Sequence, residues 1–187
     1  MERCRIVFSG SGGQGLISAA VILAEAAVVY ENLQAIQSQS YGAAARGGAV
    51  RSDVVISDDT IYMPKVFQPN VLLCMTQQAY EKFRPIIRPG GLLITDKRFV
   101  KVSRRVDACQ VELPLYQTMM DKIAQPMAFN ITVLGALLGL RPLVAIESIG
   151  KILDDKFPKS FLKVNNQALE IGYELGKESQ EATLTVN

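Results

Sequence analysis

The sequence predicts an open, mostly parallel α/β sheet with an antiparallel portion toward one edge and a helical C-terminal third. Three observations carry this. Apolar runs without polar alternation, at residues 6–8, 71–75 and 92–94, read as strands buried on both faces. Gly10, Gly12, Gly13 and Gly15 crowd the turn after the first run, and a strongly apolar stretch follows at once. From Phe129 onward the apolar residues recur at helical spacing instead.

Residues 16–30 hold only Ser18 and Glu25 as polar side chains, seven positions apart. A helix places both on one narrow stripe and buries nearly everything else. Strand, glycine turn and buried helix make the opening half of a βαβ unit. Gly10-x-Gly12-x-x-Gly15 also matches the dinucleotide fingerprint, in which bare N–H groups and a helix start suit a pyrophosphate. That fingerprint needs a carboxylate at the end of the second strand. The second strand, 34–40, has none, and Glu31 precedes it at the wrong end. A Gly-Lys-Ser/Thr phosphate loop is absent. The glycines, with Gln14 among them, therefore fit either a ligand contact or a tight turn under a buried helix.

Residues 40–48 are almost all Ser, Gly or Ala, around a solitary Arg46. So small-sided a stretch builds no core, and something is expected to lie against it. Placed beside the glycine turn, at the carboxyl ends of adjacent strands, it occupies the usual ligand crevice of an α/β sheet. Tyr41, Arg46, Gly47 and Gly48 are its candidate site residues. Arg46 suits a phosphate or carboxylate as a fork, or pairs with a neighbouring acid.

Residues 49–57 alternate, with Val50, Val54 and Ile56 on one face and Arg51 and Asp53 on the other. They read as a half-exposed strand, turning at 58–59 into a hairpin partner at 60–63. Strand 71–75, a helix over 77–83 capped by Thr76, and strand 91–95 make a second βαβ unit. The basic run at 97–105 is either a solvated hairpin or a contact for phosphate or an acidic partner. A last strand at 109–113 precedes a helix with Pro114 in its first turn. Asn130 is read as the cap of a helix over 131–140. Further helices are expected over 143–154 and about 160–178, within one domain, 1–179, followed by a frayed tail, 180–187.

The chain's 187 residues, 49% hydrophobic and 20% charged, fit one globular domain. A net charge of +2 argues for neither nucleic acid nor a membrane surface, and no apolar run reaches spanning length. Cys4, Cys74 and Cys109 are widely spaced and odd in number, as in a reducing, cytoplasmic setting, and are expected to pack as small apolar residues. The chain has no histidine, which excludes a Ser-His-Asp triad and a His-ligated metal. Its three cysteines cannot supply a four-cysteine iron–sulfur site.

Four stretches, in order across residues 5–175, together resemble the gamma subunit of the 2-oxoacid:ferredoxin (acceptor) oxidoreductases, most closely the 2-oxoglutarate type. They are Gly10-Ser-Gly-Gly-Gln-Gly15, Gln39-Ser-Tyr-Gly42 with Arg46-Gly-Gly48, Asn130 with Leu134-Gly-Ala-Leu-Leu-Gly-Leu140, and Asn165/Asn166 through Gly172-Tyr173. Ala43-Ala-Ala45 departs from many relatives, which carry a Pro and an acidic residue there. The resemblance implies a three-layer domain with no catalytic residues of its own. It implies an enzyme that decarboxylates a 2-oxoacid oxidatively, forms acyl-coenzyme A and reduces ferredoxin or another acceptor. Thiamine diphosphate would be held mainly by alpha and beta subunits, and iron–sulfur clusters by a beta or ferredoxin-like delta subunit. The glycine turn and the loop with Arg46 would pack against those subunits, beside substrate or coenzyme A. Lys97, Arg98 and Lys101 would be weaker candidates for the coenzyme A phosphates. A stand-alone Rossmann-like nucleotide-binding enzyme and a pure scaffold are the alternatives.

Overall fold

A computed structural model describes residues 3–40, 49–103 and 106–185. Six strands form one mixed sheet in the order β2-β3-β1-β4-β5-β6. They are β1 (Cys4–Ser11), β2 (Gln34–Ser40), β3 (Ala49–Ser57), β4 (Val71–Cys74), β5 (Gly91–Asp96) and β6 (Ala108–Leu113). β1, β4, β5 and β6 run parallel, while β3 is antiparallel to both β1 and β2. The antiparallel portion thus lies toward one edge, as the alternating stretch at 49–57 predicts.

Its pairing differs from the expected hairpin. The partner of β3 is β2, and residues 60–63 form no strand. Asp53 diverts this segment. Its carboxylate accepts the Val66 N–H at 3.0 Å and pairs with Arg51 at 2.5 and 2.9 Å. Arg51 also donates to the Val66 carbonyl, and Pro64 has no N–H to give a ladder. The 58–70 segment is therefore an irregular strap laid over β2 and β3. It buries Asp53, which the alternation pattern had assigned to an exposed face.

Helices cover the two faces unequally. α1 (Leu16–Tyr30), α3 (Leu115–Ile123), α4 (Phe129–Leu140), α5 (Ile146–Lys156) and α6 (Lys159–Thr185) contribute to one large core with Ile6, Phe8, Val54 and Ile94. The opposite face carries α2 (Gln77–Phe83) and the strap, over Val7, Val55, Leu72 and Leu93. Three layers result, as the resemblance implies. Thr76 caps α2 by accepting the Ala79 N–H at 3.2 Å. α1 is mostly buried until its last turn, Ser18 being exposed and Ile17, Val21 and Glu25 half-buried, but there Val28 and Val29 are exposed, contrary to the expectation of nearly complete burial. Every residue of α4 is buried. α6 continues through Thr185, so the tail expected over 180–187 is helical up to that point. α5 begins three residues later than the 143–154 pattern suggests, because Glu31 rather than a local side chain caps it.

Candidate functional site

β1 delivers its chain into the glycine turn at the carboxyl edge of the parallel strands, beside the end of β4. Gln14 holds the turn from behind. Its Oε1 accepts the Ser11 N–H at 2.8 Å, and its Nε2 donates to the Met75 carbonyl at 3.1 Å. A Cβ at Gly10 would overlap Gln14 Oε1 and lie 2.5 Å from Leu16 Cδ1, so glycine there makes room for this tie. Gly15 starts α1 with φ of 71°, in the left-handed region, and its carbonyl accepts from Asn130 Nδ2 at 3.3 Å. Asn130 therefore lies inside α4 and braces the turn instead of capping its own helix. Gly12 and Gly13 are exposed, and a Cβ on either would meet nothing within 4 Å. The turn is built on one side and bare on the other.

Ser40 and Ala49, the ends of β2 and β3, reach the same edge, with Ala49 opposite Ser11. The loop they flank is thus rooted beside the glycine turn. Tyr41, Arg46, Gly47 and Gly48 themselves lie outside the described residues. At its root is a cleft of about 220 Å³, lined in part by Ser40, Ala49, Arg51, Asp53, Lys82 and Phe83. Arg51 is committed to Asp53, which leaves Lys65, also in the lining, and Lys82 as the cations that the sequence alone did not single out. Their signal is weak, because they lie well beyond the loop in sequence and only folding brings them to its root.

Lys97, Arg98 and Lys101 follow β5, on the other side of the glycine turn. Two strand spacings, about 10 Å, separate β5 from β1. Arg98 lies over the Tyr116 ring at 5.0 Å, within a cluster where Phe99 and Phe129 also meet Tyr116. The Lys101 main chain is tied to Gln77. Asp96, the last residue of β5, is pushed up from the usual carboxyl range by burial, against the Tyr116 and Arg98 N–H groups that it accepts at 2.8 Å each. Its bonds fix the turn and the start of α3. Arg98 is thus engaged at α3, while Lys101 is held at the start of α2, two residues beyond the Met75 that Gln14 ties.

Cys4 and Cys74 are buried, but Cys109 is exposed on the edge strand β6, against the expectation that all three pack inside. Burial pushes the Cys74 thiol up to about 12, with the Ser9 hydroxyl opposing that shift. No group of three or more Cys, His, Asp or Glu lies together among the described residues, so they do not fit a metal cluster.

The family model described as pyruvate ferredoxin/flavodoxin oxidoreductase matches residues 5–175. The chain belongs to this family. It is 43% identical, over 94% of its length and 95% of the relative's, to the 2-oxoglutarate synthase subunit KorC of Methanocaldococcus jannaschii. It is 30% identical to the pyruvate synthase subunit PorC of Methanothermobacter marburgensis, covering 93% and 98% of the two chains. Its structure matches the keto/oxoacid ferredoxin oxidoreductase gamma subunit of Geobacter sulfurreducens with a TM-score of 0.87 at 36% identity, over 96% and 99% of the chains. The chain is thus a gamma-type member of the pyruvate ferredoxin/flavodoxin oxidoreductase family. No helix among the described residues is long and apolar enough to cross a membrane.

Proposed function

We propose that this chain completes a 2-oxoacid:ferredoxin (acceptor) oxidoreductase by presenting its carboxyl edge to the catalytic subunits, with 2-oxoglutarate as the substrate. The 2-oxoglutarate synthase relative, at 43% identity, favours that substrate over pyruvate. Thiamine diphosphate and the iron–sulfur clusters belong to neighbouring alpha, beta and delta chains in this reading. This chain shapes the channel through which substrate or coenzyme A reaches them. One observation carries the proposal. The glycine turn is braced by Gln14 and Asn130, while Gly12 and Gly13 offer bare, exposed backbone. The φ of 90° at Gly13 calls for glycine there, but neither backbone nor neighbours call for it at Gly12, which points to a contact from outside. Arg46 and Lys82, on and beside the adjoining loop, are the candidate anion contacts, ahead of Lys97, Arg98 and Lys101.

Gly12→Leu tests this directly, since the substitution meets empty space. The isolated variant keeps its unfolding midpoint. Reconstituted with the other subunits, it loses either assembly or 2-oxoglutarate-dependent acceptor reduction. A variant that assembles and turns over like the parent removes the turn from the site.

A further inference from the structure

The strap face carries a second surface, toward the amino ends of the strands, adjoining the loop-root cleft through Lys65. Tyr62, Met63 and Phe67 are 87%, 61% and 61% exposed, all on the irregular 58–70 segment. Beside them a cleft of about 590 Å³ opens along the amino ends of β1 and β5, lined by Arg3, Arg5, Lys65 and Arg88 with Met63 and Phe67. Among the described residues its lining includes no carboxylate. Four cations meet here in a chain whose net charge is only +2. Arg3 donates to the Thr60 carbonyl at 2.8 Å, yet its Nε is buried without a partner. The side chains of Lys65 and Arg88 make no ion pair with a described residue.

We infer that this cleft and strap dock an acidic segment, flanked by apolar side chains, of a neighbouring subunit in the assembly. The inference rests on the proposed subunit role and adds a second, separate contact to it. Large apolar side chains held out in water on one irregular segment mark a protein contact. Covering them also removes water from the adjoining cations, which is costly unless carboxylates arrive with the covering chain. A second copy of this chain is the wrong occupant. A two-fold contact sets a patch against itself and would bring cations onto cations. The cleft lies at the amino edge, so its occupant and the chain meeting the glycine turn can bind together.

The test uses the reconstituted complex. Arg88→Glu reverses an exposed cation, outside any strand, that lines this cleft and not the loop-root cleft, and Met63→Ser/Phe67→Ser removes the apolar part. The isolated variants are expected to keep the parent's unfolding midpoint. The charge reversal is expected to weaken affinity for the other subunits by about tenfold or more at low salt, with the difference shrinking as salt rises. The serine variant is expected to raise the dissociation rate with little salt dependence. Amide exchange across 58–70 is expected to slow on assembly. Unchanged affinity in both variants, with the strap still exchanging freely in the complex, overturns the inference. So does self-association of the isolated chain that buries the strap, or slowing of strap exchange by inorganic pyrophosphate alone at near-physiological salt. If Gly12→Leu disrupts the complex while these variants do not, the subunit role stands and this surface falls. If the parent chain joins no such complex, both fall.

Discussion

The same residue does opposite work in two parts of this molecule. In the seam between α4 and α6, glycine lets backbones touch. A Cβ on Gly172 would overlap the Thr132 carbonyl and lie 2.9 Å from the Ala136 nitrogen, and one on Gly135 would overlap the Leu169 carbonyl. At the carboxyl edge, Gly12 and Gly13 meet nothing within 4 Å. Glycine in the seam is thus explained by packed neighbours and Gly13 by its own backbone, with φ of 90°, while Gly12 has neither cause and is left for something that arrives. Folding and function draw on the same composition, and neighbouring atoms tell them apart. Gly172→Ala tests the seam. Neither helix can retreat without unpacking α4, which is buried along its whole length. The substitution should cost about 1–3 kcal/mol, read as a lower unfolding midpoint in denaturant. A neutral Gly172→Ala would erase the distinction between the two groups of glycines.

The built side of the turn offers a smaller effect. Gln14 joins β1 to β4 through two hydrogen bonds, to the Ser11 N–H and the Met75 carbonyl. Gln14→Ala leaves both groups to find water in a partly covered site, and about 1–2 kcal/mol of stability should be lost. Urea unfolding of the isolated chain measures this. Because Gly12→Leu should leave the same quantity unchanged, the two variants together separate the braced side from the open one.

Much of this was legible in the sequence where the causes are local. The β1–turn–α1 unit, Thr76 as the cap of α2, the β4–α2–β5 unit and the C-terminal helices follow from periodicity and turn chemistry, which act over a few residues. What escaped depends on distant partners. Asn130 has the residue type of a cap, but its amide serves a carbonyl 115 positions away. Asp53 alternates like a surface residue until the Val66 N–H claims its carboxylate. The strand expected at 60–63 fails for the same reason, since β2 takes the edge of β3 and the strap is pinned elsewhere. Gln14 stood among the candidate residues for its place in the glycine motif. Its tie to Met75, 61 residues on, needed the fold. The i, i+4 spacing of Gly135 with Gly139 and of Gly172 with Gly176 is visible along the chain, but not that the two pairs face each other.

Glu31 sharpens the comparison from its weakest side. Like Gln14 it makes two hydrogen bonds, but at a helix end, accepting the Ala145 N–H at 2.9 Å and the Ser148 hydroxyl at 2.6 Å at the start of α5. The Ala145 bond is exposed and only the Ser148 bond is partly buried, whereas both Gln14 bonds are partly buried. Water replaces an exposed bond more cheaply, so Glu31→Gln should cost only about 0.5–1 kcal/mol. The Ser148 hydroxyl, then the Ala145 N–H, hold the Glu31 carboxyl below its usual range. A depressed carboxyl contributes stability above its unfolded-state pKa and loses it as pH falls through the folded-state value. The difference between parent and Glu31→Gln should therefore be full near neutrality and close in acid, below the ordinary glutamate range. A deficit as large as that of Gln14→Ala, or one that persists unchanged in acid, would mean that bond number rather than burial sets the strength of these ties.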